Sequence, residues 1–503
     1  MNAGPPPADD LATGVSLDAL FRSNALNRPS AIAVVDPADR ARYTDGAPRR
    51  LTYAEADAEV DRLAHRLQSF ALPPGSVVAI QLPNLVEAVI SLLAILRAGL
   101  TAVPVPMAWR RSDLVAALGK IEPKALVTLA RFGDERPAEV MCEAAVELFH
   151  LSFPCVFGTQ VPDGMIALDR DDGGTETQAA LRPTSISADA VAIATFDAAA
   201  DGFFACGRGH SQWLAVGLAT LLEVKIESGD TIATTIPPNS LAGIGTALVP
   251  WLLSGGMLEL RDGFSPGASV PGDAKKRTHL VAPAAAIGEI ARGGGAPLAS
   301  CVAVHRGQHA RTYDFSSLPC ERIVDFFTFG ELGAVALRRE DRRPPWLVPL
   351  GPISAPSVAG GAPVVIETRI SDGELLLRGP MVPRGPFRIG ARAPRLAGDA
   401  SGFVHTGYAC RADGNGGLIV GAGPARVVTI GGLRFGLDDL SSRIANCACE
   451  AKIETIGDAL LGERLRIEVD DPAAVAAALQ AAGHSRLVVE ALKPAMTRRR
   501  ATG

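Results

Sequence analysis

Few side chains in this 503-residue chain stand at spacings that do chemistry. His305 and His309 are four apart, the spacing of two metal ligands on one helix face, but Gly307 lies between them and argues against a helix. The other histidines, at 65, 150, 210, 279, 405 and 484, show no metal spacing and read as structural or surface groups. Cys447 and Cys449 form a lone C-x-C with no further ligand nearby. Metal binding there would need more donors, so buried thiols are the expectation. The glycine run 293–295 lacks the Lys-Ser/Thr of a phosphate loop and reads as a surface turn. Near the end, Arg498, Arg499 and Arg500 follow Thr497 and read as a solvated basic tail.

The elements that must position any site alternate. Thr52 and Glu55 have capping-box spacing and open a helix with Val60, Leu63, Ala64 and Leu67 on one face. Residues 77–82 form an apolar run, predicted as a buried strand. Asn84 is the expected cap of a helix running to about Arg97, with Gly99 just past it. Strands follow at 102–105 and 125–129, with a helix at 112–119 between them. The same style predicts a strand at 190–194, a helix at 211–222, a strand at 231–236 and a helix at 241–253. Short connections between such units imply a largely parallel α/β sheet. From 345 to 420 short strands are separated by Gly and Pro, including 373–378 and 417–420, which predicts an antiparallel, barrel-like part. A small unit begins after Gly421. It has a helix at 437–444, a strand at 464–469, a helix capped by Asp471 and Pro472 and stopped by Gly483, and a strand at 485–492.

Composition excludes several classes. Forty-nine basic against 54 acidic residues give a net charge of −5, with no basic block, a poor match to nucleic-acid binding. The most apolar stretch, 85–105, is broken by Glu87, Arg97, Gly99 and Pro104 and is too interrupted to span a membrane. Residues 1–14 read as a disordered tail and not a signal peptide. Eight scattered cysteines fit reduced thiols and a cytoplasmic location. The 7 lysines against 42 arginines match the habit of a GC-rich genome.

Several segments, in order, resemble the adenylate-forming superfamily of acyl- and aryl-CoA synthetases, peptide-synthetase adenylation domains and luciferases. They are Leu51-Thr-Tyr-Ala-Glu, Pro74-Gly75-Ser76-Val77-Val78-Ala79-Ile80, Leu82-Pro83-Asn84, Leu96-Arg97-Ala98-Gly99, Gly373-Glu374-Leu375-Leu376-Leu377-Arg378-Gly379-Pro380, Gly402-Phe403-Val404-His405-Thr406-Gly407 and Val428-Thr429-Ile430-Gly431-Gly432. The resemblance implies an α/β fold: a large N-terminal domain of two α/β subdomains plus a small β-barrel (15–421), and a small, mobile α+β C-terminal domain, here shortened (422–503). It implies carboxylate activation with ATP and Mg²⁺ to an acyl-adenylate, then transfer to a thiol of CoA or an acyl carrier protein.

Carried over residue by residue, the chemistry is incomplete. The family's YGxTE segment matches Phe327-Thr328-Phe329-Gly330-Glu331. The resemblance therefore makes Glu331 the catalytic, Mg²⁺-binding carboxylate, and places Phe327, Thr328 and Gly330 beside the nucleotide. The phosphate loop matches Phe196 to Phe204, where every hydroxyl is gone and Phe204 stands at the lysine position. Asp197 and Asp201 would repel phosphate by about 1–4 kcal/mol. The ribose Asp is Tyr408, which cannot accept from two hydroxyls as a carboxylate does. Arg426 lies near the hinge position, in a linker altered by Gly423 and Pro424. The C-terminal Lys is absent, and Arg500 is no equivalent point charge. The acyl pocket falls on Asn239, Ser240 and Gly243, after Ile236-Pro237. The expectation is an acyl-CoA synthetase-like protein of acyl or fatty acid metabolism with reduced or lost carboxylate activation and a retained acyl or nucleotide pocket. The alternatives are an active acid–thiol ligase with a non-standard phosphate site, a protein that keeps one half-reaction, and a non-catalytic binding or assembly partner. Its partners would be a small carboxylate or acyl thioester and an acyl carrier protein.

Overall fold

The computed structural model describes residues 15–169, 190–261, 277–293, 298–307, 313–340, 347–356, 362–383, 385, 387, 396, 398–446 and 451–494. The tail 1–14, most of the glycine run at 293–295, His309, Cys447, Cys449 and residues 497–500 lie outside these.

Short apolar runs become strands covered on both faces. Val77–Ile80, Thr101–Pro104 and Ala125–Leu129 are buried along their whole length, as parallel strands between helices must be. They sit in a seven-stranded sheet, parallel except for its last member. The helix Tyr53–Ser69 opens on the expected capping box and buries Val60, Leu63, Ala64 and Leu67. The helix Val86–Arg97 is buried all round. Its cap differs from expectation. Leu85 is the N-cap, and Asp36 accepts from the Val86 N–H at 2.8 Å. The Asn84 amide donates instead to the carbonyls of Thr234 and Arg261, so it ties this helix start to the second subdomain.

The second subdomain is an eight-stranded sheet with a parallel centre. Strand Cys320–Thr328 ends at the turn that carries Glu331. The helical stretch from Leu241 to Ser254 contains a π-bulge at Ile244–Leu248. The barrel-like part is a six-stranded antiparallel sheet, with strands Glu374–Arg378 and Gly417–Val420 where the pattern put them.

Two strand expectations are corrected. The strand expected at 190–194 is Ile193–Ala199, running straight through the supposed phosphate loop. The strand expected at 485–492 is mostly a short helix, Arg486–Val489, because the Ser485 hydroxyl accepts from Leu487 N–H and caps it. Only Leu492–Pro494 is strand there.

The C-terminal unit packs a mixed sheet against helices Leu437–Ala445 and Pro472–Ala481. Its core is continuous with that of the first subdomain. Val77, Leu114 and Phe203 share one buried cluster with Val428, Phe435, Ile444 and Leu465.

Candidate functional site

The site lies where the hairpin 193–208, the turn after Cys320–Thr328, the start of the helix at Leu241 and the C-terminal unit meet. The hairpin pairs in register from Ile193↔Arg208 to Ala199↔Gly202, leaving only Ala200 and Asp201 as its turn. Alternation along these strands puts Phe196 and Phe203 against Trp109, at ring distances of 5.3 and 4.6 Å. Phe204 faces a small buried cluster with Cys206, Leu332 and Leu396. There is thus no open loop where sequence matching placed one.

Asp197 is 2% exposed. Its carboxylate accepts from the N–H groups of Ala198 (2.7 Å) and Glu331 (2.8 Å) and pairs with the guanidinium of Arg434 from the C-terminal unit. Glu331 is 4% exposed. Its Oε2 accepts from Leu241 N–H at 2.5 Å, and Oε1 lies 3.6 Å from Arg306. Burial raises the Glu331 pKa, Arg306 pulls it down, and Asp197 pushes it up. Arg208 donates from Nε and Nη2 to the carbonyls of Met381, Glu331 and Leu332, and burial lowers its pKa. Burial also works against the Arg434 charge, but Asp197, Tyr408 and Glu331 together outweigh it and hold that pKa up. Gly330, at φ +60°, makes the contact feasible: a Cβ there would come within 2.1 Å of both Arg434 and Asp197.

The space that Asp197, Glu331, Arg306 and Arg434 line together with Trp109, Phe196 and Phe203 is about 30 Å³, room for water and little more. A triphosphate with Mg²⁺ does not fit this arrangement. The room is too small, Asp197 presents negative charge, and Glu331 is engaged as a strut for Leu241.

The other sequence-matched residues disperse. Phe327 stacks on His305 at 4.5 Å, and the Thr328 hydroxyl donates to the His305 carbonyl. Tyr408 is buried, edge-on to Phe329 at 5.6 Å, with the Arg434 guanidinium 6.0 Å from its ring. It fills space beside the cluster. Arg426 sits away from it, half-exposed, at φ +59° and paired with Asp438. Ser240 caps the helix start by accepting from Gly243 N–H, and a Cβ at Gly243 would come within 2.0 Å of the Pro237 carbonyl oxygen. These two build the backbone, while Asn239 lines the cleft.

That cleft is a cavity of about 370 Å³ next to the cluster. Tyr43, Phe132, Ile236 and Tyr313 make it apolar, Arg306 and His305 supply polarity, and Gly432 and Leu433 close it from the C-terminal unit. His305 Nε2 is 2.6 Å from Asp325, which also takes two bonds from Arg339. Although burial works against its charge, His305 and Arg339 hold the Asp325 carboxyl below its usual range. Sequence reasoning considered His305 only as a metal ligand, and it missed Arg306, Asp325 and Arg434. Only Arg434 had a signal: it stands two residues past the Gly431-Gly432 turn.

Residues 21–195 match the family model described as AMP-binding enzyme. Among solved structures, apo MbtA from Mycobacterium smegmatis overlays with a TM-score of 0.65 at 20% identity, covering 96% of this chain and 91% of that one. Over residues 21–195 the chain is similar to the AMP-binding enzymes, and its fold as a whole is that of an adenylate-forming enzyme structure. The amide bond synthetase McbA from Marinactinospora thermotolerans has the same superfamily fold, with a TM-score of 0.71 at 16% identity over 95% of each chain. Curated relatives match over short segments. Phosphinothricin tripeptide synthetase PhsB of Streptomyces viridochromogenes is 40% identical over 102 residues, 20% of this chain and 7% of that protein. Salicyl-AMP ligase / salicyl-S-ArCP synthetase of Mycobacterium tuberculosis is 37% identical over 109 residues, 20% and 18% of the two chains. The matched segments thus span under a fifth of these two relatives. The superfamily is one of ligases whose substrates are typically carboxylates and carrier thiols. No described helix is long and apolar enough to cross a membrane.

Proposed function

We propose that this chain is an adenylate-forming superfamily member that has given up ATP-dependent carboxylate activation and keeps the apolar cleft as a binding pocket for an acyl group. The observation that carries this reading is the ion pair of Asp197 with Arg434 beneath a closed hairpin, in the place where phosphate would have to enter. Losing one preorganised charge-stabilising group typically costs about 10²–10³ in rate. Here the segment matched to the phosphate loop is a paired hairpin, Tyr408 stands at the position of the ribose acid, and Glu331 accepts from Leu241 N–H. The cleft is large enough for a small acyl or aryl body, within the ordinary range of ligand sites. The relatives named above suggest that such a body would come as a small carboxylate or a carrier-bound thioester. In this reading the protein works in the cytoplasm, in acyl metabolism, as a binder or assembly partner.

The test is carboxylate-dependent release of pyrophosphate across a panel of aliphatic and aromatic acids, beside calorimetric titration with MgATP. No release and no ATP heat are expected, with heat of binding from one class of acid or its pantetheine thioester. Robust turnover with any acid would sink the reading.

A further inference from the structure

The cluster contains an arrangement that the loss of ATP chemistry does not by itself require. Two buried carboxylates, Asp197 and Glu331, lie side by side, with the Glu331 N–H donating to Asp197 Oδ2 at 2.8 Å. Such a pair is costly, because each negative charge raises the energy of the other. The usual remedies are a shared proton, a metal ion or a fixed cation. Arg208 gives its hydrogen bonds to carbonyls and reaches the two carboxylates only through its charge. Arg306 stands 3.6 Å from Glu331. The guanidinium of Arg434 pairs directly with Asp197 and lines the same small space as Glu331.

Arg434 belongs to strand Leu433–Gly436 of the C-terminal unit, so its charge reaches the pair only when that unit is docked. Docking is built to fit. The Ala200 carbonyl at the hairpin turn accepts from the N–H groups of Asp438 and Asp439, both at 3.0 Å, at the start of helix Leu437–Ala445. A Cβ on Gly436 would meet the Ala199 carbonyl oxygen at 2.1 Å. Arg443 pairs with Asp113, which is 2% exposed, and lies over the Phe203 ring at 5.6 Å.

We propose that Arg434 serves the Asp197–Glu331 pair as a built-in counter-ion in place of a divalent metal ion, and thereby latches the C-terminal unit onto the site. The inference goes beyond the loss of carboxylate activation and is tested without any acyl ligand. Its chemistry is that of hard oxygen donors, which take Mg²⁺ or Mn²⁺ when no other cation is present.

The full chain is titrated with Mn²⁺, followed by the electron paramagnetic resonance signal of the free ion and by melting temperature. Amide exchange at Asp438 and Asp439 is read in parallel by mass spectrometry. Wild type is expected to take up no Mn²⁺ at this pair and to melt identically with Mn²⁺ or with chelator. Arg434→Gln should melt lower, exchange those amides at least about tenfold faster, and recover part of the melting loss in Mn²⁺. Adding Asp197→Asn to it should abolish the recovery. Mn²⁺ uptake by wild type that Glu331→Gln removes would overturn the proposal. So would an Arg434→Gln protein with protected amides, or one that ignores Mn²⁺. If Arg434→Gln does not fold, Asp197→Asn alone, nearly the same shape, must speed exchange at Asp438 and Asp439. Unchanged exchange there overturns the proposal equally.

Discussion

At the scale of single residues, Glu331 makes the contacts of a strut. Its identity and its turn match the superfamily's metal carboxylate, yet its Oε2 accepts from Leu241 N–H and its backbone N–H donates to Asp197. Glu331→Ala should therefore cost stability. It strands a buried N–H and leaves Arg306 short of a partner, a loss of about 1–3 kcal/mol in chemical denaturation. If the protein lacks adenylation, the change leaves pyrophosphate release at background. Gly330→Ala should cost at least as much, about 2–4 kcal/mol, since a Cβ at φ +60° would drive Arg434 off Asp197. His279 joins Ser300 (2.8 Å) and Asp230 (2.9 Å) in a Ser-His-Asp chain. All three are buried, and His279 and Ser300 are fully so. No substrate can reach the hydroxyl, and the chain is a satisfied core network.

At the scale of elements, the hairpin 193–208 decides the chemistry. A loop that binds phosphate must offer unpaired N–H groups, and a hairpin in full register spends its inner ones on the opposite strand. Apolar alternation at Phe196, Ala198, Phe203 and Ala205 made this readable as strand. Matching Phe196 to Phe204 to a phosphate loop obscured it. The turn also serves as the seat of helix Leu437–Ala445, so a change in either partner should be felt in both. Gly436→Ala places a methyl against the backbone oxygens of Ala199 and Ala200, at 2.1 and 2.5 Å. Neither can yield as a side-chain tip would. The expected outcome is faster amide exchange in both 199–204 and 437–445, with the sheet around Val77–Ile80 unchanged. Exchange confined to one segment would separate the two elements.

At the scale of the whole molecule, the C-terminal unit shares a core with the first subdomain. Leu114, Phe203, Phe435 and Ile444 lie in one buried cluster. One cooperative calorimetric transition is expected for the full chain, and a chain cut at residue 421 should expose that face and aggregate; two separable transitions would contradict this. Acid should weaken the fold from two places at once. His210 accepts from Leu17 N–H through Nδ1, and burial holds its pKa down to about 4. His484 is also held at about 4, by burial and then by Arg443. Both folded values lie below the ordinary 6.5, so the unfolded chain binds more protons in between. Their contribution is full above about 6.5 and is lost as pH falls toward 4. Melting temperature should drop between pH 7 and pH 4.5, and His210→Gln should flatten part of that drop.

Local pattern alone determined much of this protein. The capping box at Thr52, the buried strands from Val77 to Leu129, the antiparallel part after 345 and the helix stopped by Gly483 follow from periodicity, caps and glycine. These are interactions between near neighbours in the chain. By resemblance, the same reading expects replacements at the phosphate loop, the ribose acid and the terminal lysine. It could not find the contacts that the residues there make. Asp197 and Arg434 are 237 residues apart, Glu331 and Asp197 are 134 apart, and Arg443 and Asp113 are 330 apart. Nothing in the spacing of such residues along the chain encodes their meeting. Only the packing of the C-terminal unit against the hairpin brings a guanidinium to a buried carboxylate, and burial gives that contact its strength.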